Sequence, residues 1–201
     1  MLTAALIIGI KKCVGEYIDN RKGLVVESFS SESLEDLIKH ENENTHLDFK
    51  ASEYSSQVAL LKDVMSMANV SFDRTSLIIL GVKAQPGMSN MVVGLESVKD
   101  QAEIENLVQA NIEPLVNFSY TSFRYGEKLL GILFISNNNN PPYMMKKDFQ
   151  SLRTGDCWVR KGSKQSKATR EDMDKLYARR QNFLSSSSIR FGFNDHFADT
   201  V

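Results

Sequence analysis

Residues 77–82 read Leu77-Ile78-Ile79-Leu80-Gly81-Val82. An apolar run with no polar alternation is the pattern of a strand buried on both faces, so this segment predicts a central strand with structure layered on either side. Met91-Val92-Val93 follows after a loop containing Gln85-Pro86-Gly87, and the two segments read as a hairpin. On the N-terminal side, Val58, Leu61, Met65 and Ala68 share one helical face, with Leu60, Val64 and Met67 beside it. Such a helix is apolar round much of its circumference. Before it, His46-Leu47-Asp48-Phe49-Lys50 alternates at strand spacing. Leu47 and Phe49 then enter the core, while His46, Asp48 and Lys50 share the opposite face.

The pattern continues C-terminally. Asp100 and Glu103 form a capping pair that opens a helix through Ile104, Leu107, Val108 and Ile112, ended by Pro114. Val116, Phe118 and Tyr120 alternate, 125–128 turns, and Leu129 to Ile135 returns as a second hairpin. Asn137 to Asn140 and Pro141-Pro142 make a solvated loop. Cys157-Trp158-Val159 reads as a last strand, and Thr169-Arg170-Glu171-Asp172 caps a helix to about Gln181. Upstream, Leu24-Val25-Val26 suits a short strand and Ser33-Leu34-Glu35-Asp36 a helix start. Leu6, Ile10, Cys13, Val14 and Tyr17 put one apolar face on a helix over 2–18. Helices and strands interleave, but two hairpins break a purely parallel order. The expected fold is α/β of the mixed α+β kind, a mixed sheet with flanking helices. Its expected divisions are a helical extension over 1–30, the domain over 31–182 and a flexible tail over 183–201.

Composition sets outer limits. With 201 residues, 42% apolar and 24% charged, the chain suits one globular domain and excludes collagen-like and wholly disordered readings. Lys+Arg 24 against Asp+Glu 25 excludes coating of nucleic acid by bulk charge, though not by a local patch. Two cysteines, Cys13 and Cys157, are too few for a disulfide framework and read as reduced thiols of a cytoplasmic protein. The apolar stretch Ala4 to Ile10 is far short of the roughly 20 residues of a membrane span.

Two features carry chemistry. A carboxylate and a lysine side by side, as in Asp48 and Lys50, hold a divalent cation and a phosphate together, and Glu43 adds a second carboxylate from the preceding turn. Taken alone, an acid-x-Lys triplet is common in so charged a chain and equally describes a solvated ion pair. The second feature is the stretch 146–170, with Lys146, Lys147, Arg153, Arg160, Lys161, Lys164, Lys167 and Arg170 against only Asp148 and Asp156. Glycine and serine among the cations (Gly155, Gly162, Ser163) let backbone N–H groups converge with them on phosphate oxygens. Trp158 within it is either a base-stacking platform or core. His40, His46 and His196 are not at zinc-ligand spacing.

Glu43-x4-Asp48-Phe49-Lys50, the helix ending Met67-Ala68-Asn69, the strand closing in Gly81-Val82, then Val93-Gly94 and Trp158-Val159-Arg160-Lys161-Gly162-Ser163 occur in that order. Together they resemble the Schlafen-type Alba-like domain, in its standalone bacterial form, over roughly 41–178. The resemblance implies a mixed α/β domain that binds nucleic acid. Some members cut RNA with two acids of the first motif, matched here by Glu43 and Asp48, and a third acid beyond the apolar strand. Lys83-Ala84 stands where that third acid belongs, unless Asp73 or Glu53 substitutes for it.

The leading expectation is therefore a protein that grips RNA or DNA through Lys50, Arg153, Arg160, Lys161, Lys164 and Lys167. A nuclease using Mg²⁺ or Mn²⁺ on Glu43 and Asp48, with Lys50 steadying the scissile phosphate, is the alternative. A regulatory or interaction module with nucleotide binding is the third. The helix over 2–18 either covers the core or pairs two copies as a homodimer.

Overall fold

Gly81 divides the apolar run. Its φ is +93°, and a Cβ there would stand 2.7 Å from Leu130 Cδ2, so glycine alone lets the chain turn out of the sheet at this point. The computed structural model describes residues 14–19, 24–70, 74–85 and 87–187. In chain order the elements begin with β1 (Val14–Asp19), β2 (Leu24–Phe29), α1 (Ser31–His40), β3 (Leu47–Lys50) and α2 (Gln57–Ala68). After these come β4 (Ser76–Leu80), β5 (Val82–Lys83), β6 (Met91–Val92), α3 (Gln101–Asn111) and β7 (Ile112–Glu113). The series ends with β8 (Phe118–Tyr125), β9 (Lys128–Ile135), β10 (Met144–Met145), β11 (Trp158–Lys161), β12 (Lys164–Lys167) and α4 (Arg170–Ser187).

The main sheet has the order β3-β4-β9-β8. β3 runs parallel to β4, with Leu47 opposite Leu77, and the other two pairings are antiparallel. The sheet is therefore mixed, as the two hairpins require. β4 is buried on both faces. Ile78 and Leu80 join Leu61, Met65, Val108 and Leu133 in one core, under α2 and α3. Leu77 and Ile79 join Leu34, Ile38, Phe49 and Ile132 in the other, under α1. Both hairpins read from the sequence are present, as β5–β6 and β8–β9.

Asp100 caps α3 through the Ala102 N–H at 2.9 Å. Thr169 and Asp172 cap α4 reciprocally: the Thr169 N–H donates to Asp172 Oδ2 at 2.9 Å and the Asp172 N–H to Thr169 Oγ1 at 3.3 Å.

Four local expectations are corrected. Val14–Asp19 is a strand rather than the end of a helix, because it pairs antiparallel with Leu24–Phe29 along its whole length. The rest of the expected helix, residues 1–13 with Cys13, lies outside the described residues. The cap of α1 is Ser30, whose Oγ accepts the Ser33 N–H at 3.1 Å, so Ser33 sits inside the first turn. α4 continues to Ser187, past Gln181 and into the segment expected to be a tail, whose remainder from 188 is not described. Asn138, assigned to a solvated loop, is buried: its side chain accepts the Asn117 N–H at 2.8 Å and donates to the Asn117 carbonyl at 2.9 Å. A short β-like bridge of this kind satisfies backbone groups that no strand reaches. No helix among the described residues is long and apolar enough to cross a membrane.

Candidate nucleic-acid interface and the charges beneath it

The polar face of β3 is covered at its centre, while Lys50 at its end keeps 32% of its side chain exposed. Asp48 is only 3% exposed, because α2 and the β11–β12 hairpin close over that face. Arg160 enters from β11 with a side chain that is 1% exposed. Its Nη2 donates to Asp48 Oδ1 at 2.8 Å and to the Leu47 carbonyl at 3.2 Å, and its Nε donates to the Asn44 carbonyl at 3.0 Å. One guanidinium thus ties the hairpin to the sheet edge and to the turn before it, using the fork of donors that lysine lacks.

Lys50 completes a chain of alternating charge. Its Nζ lies 2.6 Å from Asp48 Oδ2 and 3.2 Å from Asp63 Oδ2. Asp63 comes from the middle of α2 and is itself buried. It accepts hydrogen bonds from Tyr54 OH at 2.7 Å and from Gln165 Nε2 of β12 at 2.5 Å. Burial pushes the Asp63 carboxyl above its usual range, against the pull of the Lys50 ammonium and the Tyr54 hydroxyl. Burial works against the Lys50 charge, but the Asp63 and Asp48 carboxylates outweigh it and hold the ammonium above its ordinary value. Tyr54 is raised well above the phenol range by burial and by the neighbouring Asp63 carboxylate, so it stays a donor.

Of the residues singled out in the sequence, Asp48, Lys50 and Arg160 are therefore brought together, Asp48 and Arg160 buried and Lys50 at the rim. Arg160 points its guanidinium inward, away from any phosphate approaching the surface. Glu43 Oε1 accepts the Phe49 N–H at 3.1 Å, fixing the turn that leads into β3. The fit of a divalent ion to Glu43 and Asp48 is poor, since both Asp48 oxygens already face cations. Among the described residues no group of three His, Cys, Asp or Glu is arranged to hold a metal. Glu53 receives the Tyr120 hydroxyl, and Asp73 lies outside the described residues.

The remaining cations are outside. Arg153, Lys161 and Lys167 expose over half of their side chains, while pairing with Asp148 at 3.9 Å, Asp172 at 2.8 Å and Asp156 at 2.5 Å. Lys146, Lys147 and Lys164 are exposed and form no ion pair with a described residue. The backbone joins these segments: the Met145 N–H donates to the Asp156 carbonyl at 2.8 Å and the Ala168 N–H to the Cys157 carbonyl at 2.7 Å. Trp158 packs against the α2 core, and the Lys62 ammonium sits 4.2 Å from its ring centroid, an arrangement of core with a covered face.

Asp63, Tyr54, Gln165 and the strand β12 were not found by sequence reasoning. One signal for Asp63 was present, a lone acid in a helix apolar on most of its sides. Gln165 and Tyr54 carried none.

The model of the family described as Schlafen, AlbA_2 matches residues 43–169. The chain belongs to that family. The Schlafen AlbA_2 match begins at Glu43 and ends at the cap of α4, so it contains the whole buried network and the cationic hairpin. No curated protein matches the chain. Similar solved structures include the following two. DIP2311 from Corynebacterium diphtheriae has a TM-score of 0.46 at 13% identity, with 86% of this chain covering 28% of that one. The N-terminal domain of a RecG-related protein from Nitrosomonas europaea has a TM-score of 0.45 at 17% identity, with 71% of this chain covering 95% of that one.

Proposed function

We propose that the protein binds nucleic acid, RNA or DNA, by its phosphate backbone, through the exposed cations of 146–167. One observation carries this reading. Lys146, Lys147, Arg153, Lys161, Lys164 and Lys167 are exposed on segments that backbone hydrogen bonds hold side by side, which supports their acting together on one polyanion. Membership of the Schlafen AlbA_2 family supports the same reading. Arg160 serves as the anchor of the hairpin and Lys50 as part of its seat. Contacts to phosphates of this kind give affinity that falls steeply with salt and little sequence preference.

The test is fluorescence anisotropy of labelled transfer RNA, single-stranded RNA and duplex DNA over a salt series, in EDTA and again with Mn²⁺. A Lys161/Lys164/Lys167 triple-alanine variant should lose about tenfold or more in affinity at low salt and flatten the salt slope by about two to three. No binding at low salt would overturn the reading. Fragments that form only with Mn²⁺ and vanish in Glu43→Ala would replace binding by cutting.

A further inference from the structure

Asp63 gathers polar contacts from across the fold. It belongs to neither motif read in the sequence, it is 2% exposed, and it takes hydrogen bonds or ion pairs from three different segments. Gln165 is the contact that matters for function. Its neighbours Lys164 and Lys167 are on the cationic surface, while its own amide reaches inward to Asp63 Oδ1. β11 is tethered likewise by Arg160 to Asp48. The two strands of one hairpin are thus pinned to two carboxylates, on β3 and α2, and Lys50 bridges those carboxylates.

We propose that Asp63 is a positioning residue for nucleic-acid binding: by holding Gln165 and sharing Lys50 with Asp48, it fixes the β11–β12 hairpin so that its lysines meet the phosphate backbone as a set. The inference rests on the functional reading above for its consequence, but its structural half is measurable without any nucleic acid. Four separate ties, Arg160–Asp48, Gln165–Asp63, Lys50–Asp63 and Lys50–Asp48, make the seat rigid, and a rigid seat avoids the entropy of ordering several long cationic side chains on a loose ribbon.

The sign of one substitution separates this role from simple electrostatics. Asp63→Asn removes a negative charge close to a polyanion-binding surface. If Asp63 acted only through its charge, affinity for RNA would rise. Positioning predicts that affinity falls, by about tenfold, the size of one lost hydrogen bond to a charged group. Trp158 is the protein's single tryptophan and lies at the base of the same hairpin, under Lys62, the neighbour of Asp63.

The experiment measures binding of a labelled single-stranded RNA, Trp158 emission, and hydrogen exchange of 158–167 in Asp63→Asn, Gln165→Glu and the double variant. The expected result is weaker binding, shifted emission and faster exchange in Asp63→Asn, with recovery in the double variant, which returns a carboxylate to the same contact. Binding as tight as wild type or tighter, with emission and exchange unchanged, would overturn the proposal. If wild-type protein binds no RNA, the functional reading fails by itself. Emission and exchange then still decide whether Asp63 fixes the hairpin, and unchanged values overturn it. Should Asp63→Asn fail to fold by circular dichroism, Gln165→Ala carries the test. It removes one tie without leaving a buried charge alone, and faster exchange of 158–167 with weaker binding is again required.

Discussion

The buried and the exposed polar residues of the β11–β12 hairpin have opposite fates. On the inner side Arg160 and Gln165 meet Asp48 and Asp63, two buried carboxylates. At its two ends Lys161 and Lys167 meet Asp172 and Asp156 with over half of each side chain in solvent. The inner groups have lost most of their hydration, so each depends on the partners it has inside the protein. The outer pairs keep their water, hold weakly, and can be exchanged for a phosphate. A single ribbon four residues deep thus separates charge used for architecture from charge available for binding.

The largest break in that contrast comes from Asp48→Ala. It leaves the Arg160 guanidinium buried with only the Asn44 and Leu47 carbonyls for company, and should cost about 3 kcal/mol in urea denaturation. A loss below about 1 kcal/mol would place the inner pair with the outer ones and erase the distinction. Asn69→Ala sharpens it with an uncharged anchor of the same region. The Asn69 side chain accepts the Tyr143 N–H at 2.8 Å and donates to the Tyr143 carbonyl at 2.8 Å and the Trp158 carbonyl at 3.0 Å. Its loss strands buried backbone groups, so a cost of about 2 kcal/mol is expected in the same assay. If the two variants are equally destabilised, hydrogen bonding rather than charge is what the seat supplies.

Much of this was legible because it is local. The apolar run at 77–82, the Asp100 and Thr169 caps, and the two hairpins depend on neighbours within a few residues, and all are found. Pairings across the chain were not. Alternation in 46–50 correctly separates Leu47 and Phe49 from Asp48 and Lys50, but period two says only that two faces differ, not that the second is covered. What covers it are α2 and a hairpin more than a hundred residues away, and no local spacing announces them. The strand Val14–Asp19 failed for the same reason, since helical and extended periods both fit so short a segment and the partner strand decides. Within the candidate site, the residue types were legible and their direction was not: Arg160 was grouped with the surface lysines because it stands among them in sequence.

Acid tests the exposed pairs. The Asp172 carboxyl is held down at about 2 by the Lys161 ammonium and by the Thr169 N–H. A carboxyl held below its ordinary value contributes stability above that value and loses it as the pH falls toward the lowered one. Asp172→Asn should therefore cost about 1 kcal/mol or less near neutral pH, and the gap from wild type should close between about pH 4 and pH 2. A gap that persists unchanged through that window would mean that Asp172 acts as a helix cap by shape alone, with no contribution from its pair with Lys161.

Lys164 is the limiting case, an exposed cation of the hairpin with no ion pair to a described residue. With nothing to lose inside the protein, Lys164→Gln should change stability by no more than about 0.5 kcal/mol. Its effect belongs wholly to binding: one phosphate contact fewer, read as a decrease of about 0.9 in the log–log salt slope for duplex DNA, or about 0.7 for a single strand. The same slope measured on Lys161→Gln separates a free cation from one already neutralised. Phosphate must first displace Asp172 from Lys161, so that variant should lose less affinity than Lys164→Gln while losing more stability. If the order is reversed, the outer pairs are preformed contacts rather than exchangeable ones, and the boundary between architectural and binding charge runs through the lysines instead of between the buried and the exposed residues of the hairpin.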